Sequence, residues 1–212
     1  MKKINSYIDS VFQHQDNILK EVLRSIEENG MRPISVSPSS GKLLTMLVSI
    51  SGAKRVLEIG ALGGYSGICL ARGFGIGGQL TSLELMENYA ELAHKNLAKA
   101  GFGDQVTYLT GPALDSLKQL AHSSQRFDFF FVDADKENYE NYLEACIELA
   151  EDGAIIVADN VLAGGTVADS EMQPRRYTEN MAKFNKAVAE HPQLESVLLP
   201  LGDGLTVSRV TK

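Results

Sequence analysis

The stretch RVLEIGALGGYSG, Arg55 to Gly67, decides how the chain is read. An apolar run holds a carboxylate, Glu58, and then opens into glycines at positions 60, 63, 64 and 67. A short apolar run that ends in a glycine turn and gives way to a helical pattern is the junction of a buried strand with a helix. The pattern recurs downstream. Strand-like runs at 55–60, 79–85, 105–111, 127–134 and 153–160 alternate with helical segments near 66–73, 87–101, 113–122 and 137–150. Such alternation predicts right-handed βαβ units, hence an α/β doubly wound, mostly parallel sheet with helices on both faces. The nearly unbroken apolar strands fit burial on both sides.

The two ends of the chain depart from this alternation. LESVLLPLGDGLTVSRV (194–210) reads as two strands joined by a Pro/Gly/Asp turn, so an antiparallel hairpin closes the sheet. At the other end Ile4, Tyr7, Ile8, Val11, Phe12, Ile18, Leu19, Val22, Leu23 and Ile26 recur at steps of three and four, an amphipathic helical segment ending at Gly30. A turn-rich connector, MRPISVSPSSG, then leads to a short helix beginning near Gly41. The expected organisation is a single domain over 1–212: an N-terminal helical cover (1–53) on a Rossmann-like core (54–212). The Gly-rich segment 161–176 is expected to be a lid, because a loop of that length in a compact domain is usually functional.

Composition removes several classes of function. Acidic residues outnumber basic ones 27 to 20, for a net charge of -7, and the basic residues are scattered. Phosphate backbones need concentrated Lys and Arg, so nucleic acid is not an expected partner. Cys69 and Cys146 stand apart in apolar contexts, as reduced core residues do. No stretch approaches the ~20 apolar residues that span a bilayer. The N-terminus lacks the apolar centre and cleavage site of a secretory signal. A cytoplasmic protein without a membrane partner is expected.

Ligands of open α/β sheets bind beyond the carboxyl ends of the strands, and here those ends are acidic. Glu58, Glu84, Asp133, Asp135 and Asp159, with Asn160, close successive apolar runs. The glycine turn is not a dinucleotide fingerprint, since Leu62 stands where the second glycine must admit a pyrophosphate. A tight turn combined with Glu84, placed to accept both ribose hydroxyls, describes a nucleoside cofactor without phosphates. S-adenosylmethionine, with a ribose, an adenine and a cationic sulfonium, matches that description. Glu58 would orient the turn amides and the cofactor's amino-acid portion, because a buried carboxylate is costly unless it is bonded or paired. Asp133, Asp159 and Asn160 form a hard-oxygen set suited to a divalent cation, Mg²⁺ first and Ca²⁺ or Mn²⁺ as alternatives. Lys136, beside those carboxylates, is the candidate general base.

On these residues the sequence resembles the cation-dependent, class I S-adenosylmethionine O-methyltransferases, the group of catechol and caffeoyl-coenzyme A O-methyltransferases. The likeness runs from ISVSPSSGKLL through VLEIGALGGYS, LTSLEL, FFFVDADKENY and ADNVL to LGDGLTVS. It implies a seven-stranded sheet whose last strand is antiparallel, and frequently a homodimer. It also implies cofactor contacts at Val36, Ser37, Glu58, Gly60, Ser66, Glu84, Ala113, Asp133 and Asp135. Ala113 would lie beside the adenine and Val36 and Ser37 near the methionine end. Asp133, Asp159 and Asn160 match the family's metal ligands and Lys136 its base. The implied reaction is methyl transfer to a hydroxyl of a vicinal dihydroxy aromatic small molecule. Ala163-Gly164-Gly165 depart from the bulky Trp that many members carry. A nicotinamide-dependent oxidoreductase, a phosphate-receiving module and a cofactor-binding scaffold are the rival readings.

Overall fold

Three consecutive phenylalanines, Phe129, Phe130 and Phe131, have no exposed surface at all. Side chains alternate across a strand, so such a run needs apolar cover on both faces. The computed structural model, which describes residues 2–12 and 16–212, supplies it. In chain order the elements are α1 (Lys2–Phe12), α2 (Asn17–Glu28), α3 (Pro38–Ser51), β1 (Arg55–Ile59), α4 (Tyr65–Phe74), β2 (Gln79–Glu84) and α5 (Glu87–Lys99). There follow β3 (Val106–Thr110), α6 (Ala113–His122), β4 (Phe127–Val132), α7 (Tyr139–Leu149), β5 (Ala150–Asp159), α8 (Thr178–Glu190), β6 (Leu194–Leu199) and β7 (Leu205–Val210).

The seven strands form one sheet in the order β3-β2-β1-β4-β5-β7-β6. Strands β1 to β5 pair in parallel, and β7 runs antiparallel to both β5 and β6. The doubly wound sheet with an antiparallel C-terminal strand is therefore as the sequence led us to expect. On one face Leu57, Ile59, Phe130 and Val132 meet α6, α7 and α8. On the other Val56, Phe129, Phe131 and Val157 meet α2, α3 and α4. The chain winds outward from β1 to β3 and then crosses to β4, so the switch point lies between β1 and β4, where ligands bind in such sheets.

The structure differs from the sequence-based elements in three places. The helix placed near Gly41 starts at Pro38, with Ser37 as its cap: Ser37 Oγ accepts from the Ser40 N–H at 3.1 Å. Pro and Ser, which looked like connector, are what a helix start requires. The N-terminal segment is two helices, and the expected single run crosses residues 13–15, which lie outside the described residues. Only α2 gives its apolar face to the core, through Leu19, Val22 and Ile26; Ile4, Tyr7 and Phe12 of α1 stay exposed. Finally, α8 was not expected, although Met181, Phe184 and Val188 bury one stripe at helical spacing. The segment 161–176 ahead of it holds a 3-10 turn at Ala163–Gly165 and is tied to α8 by a 2.6 Å bond between the Thr166 and Thr178 hydroxyls.

Candidate active site

Beyond the carboxyl ends of the parallel strands lies a cavity of about 660 Å³. It is lined by Gly111 and Ala113 after β3, Glu84 ending β2, Gly60 to Leu62 after β1, Asp133 to Lys136 after β4, and Asn160 after β5. Adjacent strands are spaced by about 4.8 Å, so five strand ends span roughly 19 Å, the length of an extended nucleoside-bearing molecule.

The turn after β1 is fixed from every side. Gly60 has φ +99, and a Cβ there would lie 2.1 Å from the Asp133 carbonyl oxygen, so the chain passes against β4 only as glycine. Leu62 adopts the left-handed region at φ +48, an uncommon state that the surroundings must impose. They do so through Glu84. Its Oε2 accepts from the Ala61 and Leu62 N–H groups at 3.1 and 3.0 Å, and its Oε1 accepts from Met86 N–H at 3.0 Å. From behind, Ile26 of α2 fills the space where a Gly63 Cβ would be, at 2.3 Å. Asn96 of α5 is also behind the turn, donating to the Gly63 carbonyl and to Ser25 Oγ of α2, both at 2.9 Å. Glu84 thus has the turn-orienting role expected of Glu58.

Glu58 lies elsewhere. On the alternation of β1 it shares the face of Val56, and it is wholly buried and does not line the cavity. Its Oε1 accepts from Ser66 Oγ at 2.5 Å and its Oε2 from Ser82 Oγ at 2.6 Å. Burial, the largest effect, pushes its carboxyl up to about 7 against the pull of the two hydroxyls. Among the other cofactor candidates, Val36, Gly60, Ser66, Glu84, Ala113, Asp133 and Asp135 line the cavity. Ser37 does not, its hydroxyl being engaged at the α3 cap. Asp135 accepts from Tyr142 Oη and Asn138 Nδ2.

At the β4–β5 side, Lys136 Nζ donates to Asp133 Oδ1 at 2.9 Å, to the Ala134 carbonyl at 3.0 Å and to Tyr139 Oη at 2.6 Å. Tyr139 Oη in turn donates to the Asp159 main-chain carbonyl at 2.9 Å, so it links the lysine to β5. Sequence reasoning missed this tyrosine, although KENY places it one helical turn beyond Lys136 on the same face. Asp159 is 3% exposed, and its Oδ1 accepts from the Asn160 N–H at 2.6 Å. Burial, and next the negative charge of Asp133, hold its carboxyl well above the usual carboxylate range. A buried carboxylate whose proton affinity is raised by burial and by a neighbouring negative charge is short of positive charge, which is what a divalent ion with oxygen ligands supplies. By that test Asp133, Asp159 and the Asn160 amide fit a hard cation. Among the described residues no group of three or more His, Cys, Asp or Glu is gathered closely enough to hold a metal, so the set depends on the amide. The β2–β3 side fits a nucleoside: with three of its roughly four lone-pair sites taken by N–H groups, Glu84 keeps one on Oε1 for a hydroxyl, and Leu85, Tyr89 and Ala113 form apolar walls beside the bare Gly111. Tyr65, Arg32, Arg176 and Tyr177 also line the cavity; Tyr65 falls within the glycine stretch but was not singled out, and Arg176 and Tyr177 are marked by no motif in the sequence.

Known proteins resemble this chain over nearly its whole length. A family model described as O-methyltransferase matches residues 9–211. A catechol O-methyltransferase of Mycobacterium tuberculosis is 40% identical over 200 residues, covering 92% of this chain and 87% of that protein. Caffeoyl-CoA O-methyltransferase 1 of Eucalyptus globulus is 34% identical over 207 residues, covering 94% and 84% of the two chains. Among solved structures, an O-methyltransferase from Bacillus cereus in complex with SAH superposes with a TM-score of 0.89 at 36% identity, covering 99% of this chain and 97% of that one.

Proposed function

The chain belongs to the O-methyltransferase family and is an S-adenosylmethionine-dependent enzyme, and we propose that its acceptor is a vicinal dihydroxy aromatic whose two oxygens are held by a divalent cation. The observation that carries this reading is one cavity lined both by Glu84 and by Asp133, Lys136 and Asn160. Sequence relatives named for catechol and caffeoyl-CoA support the same acceptor class. They leave the nicotinamide alternative without support.

In the proposed reaction the Glu84 carboxylate, already fixed by three main-chain N–H groups, accepts a ribose hydroxyl, while Gly60, Val36 and Ser66 border the methionine portion. Glu58 acts from beneath, through the Ser66 hydroxyl. Asp133, Asp159 and Asn160 would hold a cation, Mg²⁺ in the first instance, which when bound lowers the pKa of an acceptor hydroxyl without a strong base. Lys136 Nζ, whose three hydrogens are all donated to neighbours, would first release one of them to solvent and in that neutral form accept the hydroxyl proton. The oxygen attacks the methyl carbon as the carbon–sulfur bond breaks, and that electron pair stays on sulfur. Alignment of oxygen, methyl and sulfur on a rigid sheet edge contributes roughly 7–11 kcal/mol in well-oriented systems.

The test is methyl transfer from S-adenosylmethionine to catechols, flavonoids and coenzyme A esters, with Mg²⁺, Mn²⁺ or Ca²⁺ and with chelator. Turnover of a vicinal diol that stops in chelator is expected; undiminished turnover in chelator overturns the cation. We also read the protein as a cytoplasmic homodimer. The two buried free cysteines support a reducing compartment, and the exposed Ile4, Tyr7 and Phe12 on α1 supply a surface in need of cover. Sedimentation of the wild type and of a Tyr7→Glu, Phe12→Glu variant tests the dimer.

A further inference from the structure

Asn160 sits at the cavity with φ +62, and Ala163, Gly164 and Gly165 also have positive φ, at 50, 73 and 96. A left-handed backbone at Ala163 costs roughly 1–2 kcal/mol and persists only where the surroundings impose it, while Asn160 adopts it at lower cost. What imposes it is the turn between β6 and β7. The Leu162 N–H donates to the Asp203 carbonyl at 2.9 Å and the Val161 N–H to the Gly204 carbonyl at 3.2 Å. Asp203 then adds a side-chain bond: its Oδ1 accepts from the Gly164 N–H at 2.6 Å. Gly204 has φ +85 and no Cβ, and the Leu162 side chain fills that space, 2.5 Å from where the Cβ would be. The Asn160 carbonyl closes the same turn by accepting from the Ala163 N–H at 3.2 Å.

Nothing in the methyl-transfer chemistry uses Asp203, yet its carboxylate is half-buried, at a cost that burial shows by raising its proton affinity. A carboxylate accepting from a main-chain N–H makes a stronger bond than a neutral acceptor does. We propose that Asp203 is a positioning residue, which pins the 160–165 turn to the β6–β7 hairpin and so aims the Asn160 amide at the proposed cation site. The inference rests on the cation reading above. It assigns to the LGDG turn a task separate from cofactor binding, because Asp203 is on the far side of β5 from Glu84 in the strand order.

The experiment measures Mn²⁺ binding by electron paramagnetic resonance titration of the folded protein in the presence of S-adenosylhomocysteine. S-adenosylhomocysteine affinity and thermal unfolding are recorded alongside. Two variants separate position from charge. Asp203→Asn keeps an acceptor oxygen in place and removes the charge, whereas Asp203→Glu keeps the charge and displaces the oxygen by one methylene. Partners that orient metal ligands are worth about 10–100-fold in metal affinity, so Asp203→Glu is expected to weaken Mn²⁺ binding about tenfold or more. Asp203→Asn, which keeps a weaker, neutral acceptor in place, should fall between the wild type and Asp203→Glu, with S-adenosylhomocysteine affinity unchanged in both. An impaired Asp203→Asn beside an intact Asp203→Glu overturns the proposal in favour of a charge effect, and equal Mn²⁺ affinity in all three proteins overturns it outright. If the wild type itself binds no Mn²⁺, the cation reading fails first and this inference falls with it.

Discussion

Replacing Glu58 by Gln should change how the stability of the protein depends on pH, in a direction opposite to that of an ordinary carboxylate. Glu58 is fully buried, and its side-chain partners are the hydroxyls of Ser66 and Ser82. Burial raises its carboxyl from 4.5 to about 7. The folded protein therefore keeps a proton between those values that the unfolded chain has already released. Its contribution to stability is complete below pH 4.5 and is lost as pH rises through about 7. The interval between the two values corresponds to roughly 3 kcal/mol. A glutamine side chain would keep the shape, with its oxygen accepting from one serine and its amide donating to the other, but it has no proton to release. Urea unfolding of both proteins from about pH 5 to about pH 8.5 isolates most of the effect, because titrating groups that do not interact with Glu58, Asp159 among them, are common to the two and cancel in the difference. The variant should gain on the wild type by about 3 kcal/mol across that interval. Parallel profiles, or a wild type that gains on the variant with rising pH, would refute the assignment of Glu58 as a buried carboxyl that is protonated below neutrality.

Other residues give sharper local tests. Gly60→Ala combines a positive φ with a Cβ 2.1 Å from a main-chain oxygen, so it should cost at least ~3 kcal/mol in denaturant unfolding. Glu84→Gln leaves one acceptor oxygen in place of two and should weaken S-adenosylhomocysteine binding about tenfold or more by calorimetry, bonds to a charged group being worth about 1.5–3 kcal/mol. Asp159→Asn removes a buried charge that faces Asp133. It should raise the thermal midpoint of the cation-free protein while abolishing cation-dependent turnover; a lowered midpoint would show that the charge is already compensated.

The alternation of apolar strands and amphipathic helices carried most of the fold, because strands buried on both faces leave little choice of architecture. Asp133, Asn160 and Glu84 were legible for a related reason: polar residues at the last position of an apolar run or just past it fall at the rim, whereas Asp159, 3% exposed, sits just beneath it and does not line the cavity. Glu58 was not. Whether a strand carboxylate faces the ligand or the core depends on which side of the sheet it occupies, and a run apolar on both faces has no alternation from which to read the side. Tyr139, Asp203 and α8 were missed on different grounds. Tyr139 reaches β5 and Asp203 the 160–165 turn by long-range pairings that leave no local signature, and the one local signal, the spacing of Tyr139 from Lys136 in KENY, does not reveal the link to β5. The α8 stripe was present in the sequence but followed a loop whose end nothing marked.

Ile26 and Ser25, which back the Gly63 turn directly and through Asn96, belong to α2 and not to the βα core. The glycine turn after β1 is thus moulded on one side by a segment that a purely topological dissection would discard as an appendage. A chimaera that moved the βα core of this protein onto a relative's N-terminal helices would bring mismatched surfaces together behind the loop. Transplanting the glycine turn between relatives therefore requires α2 to travel with it, and the helix and the turn should vary in concert as one mould and its cast.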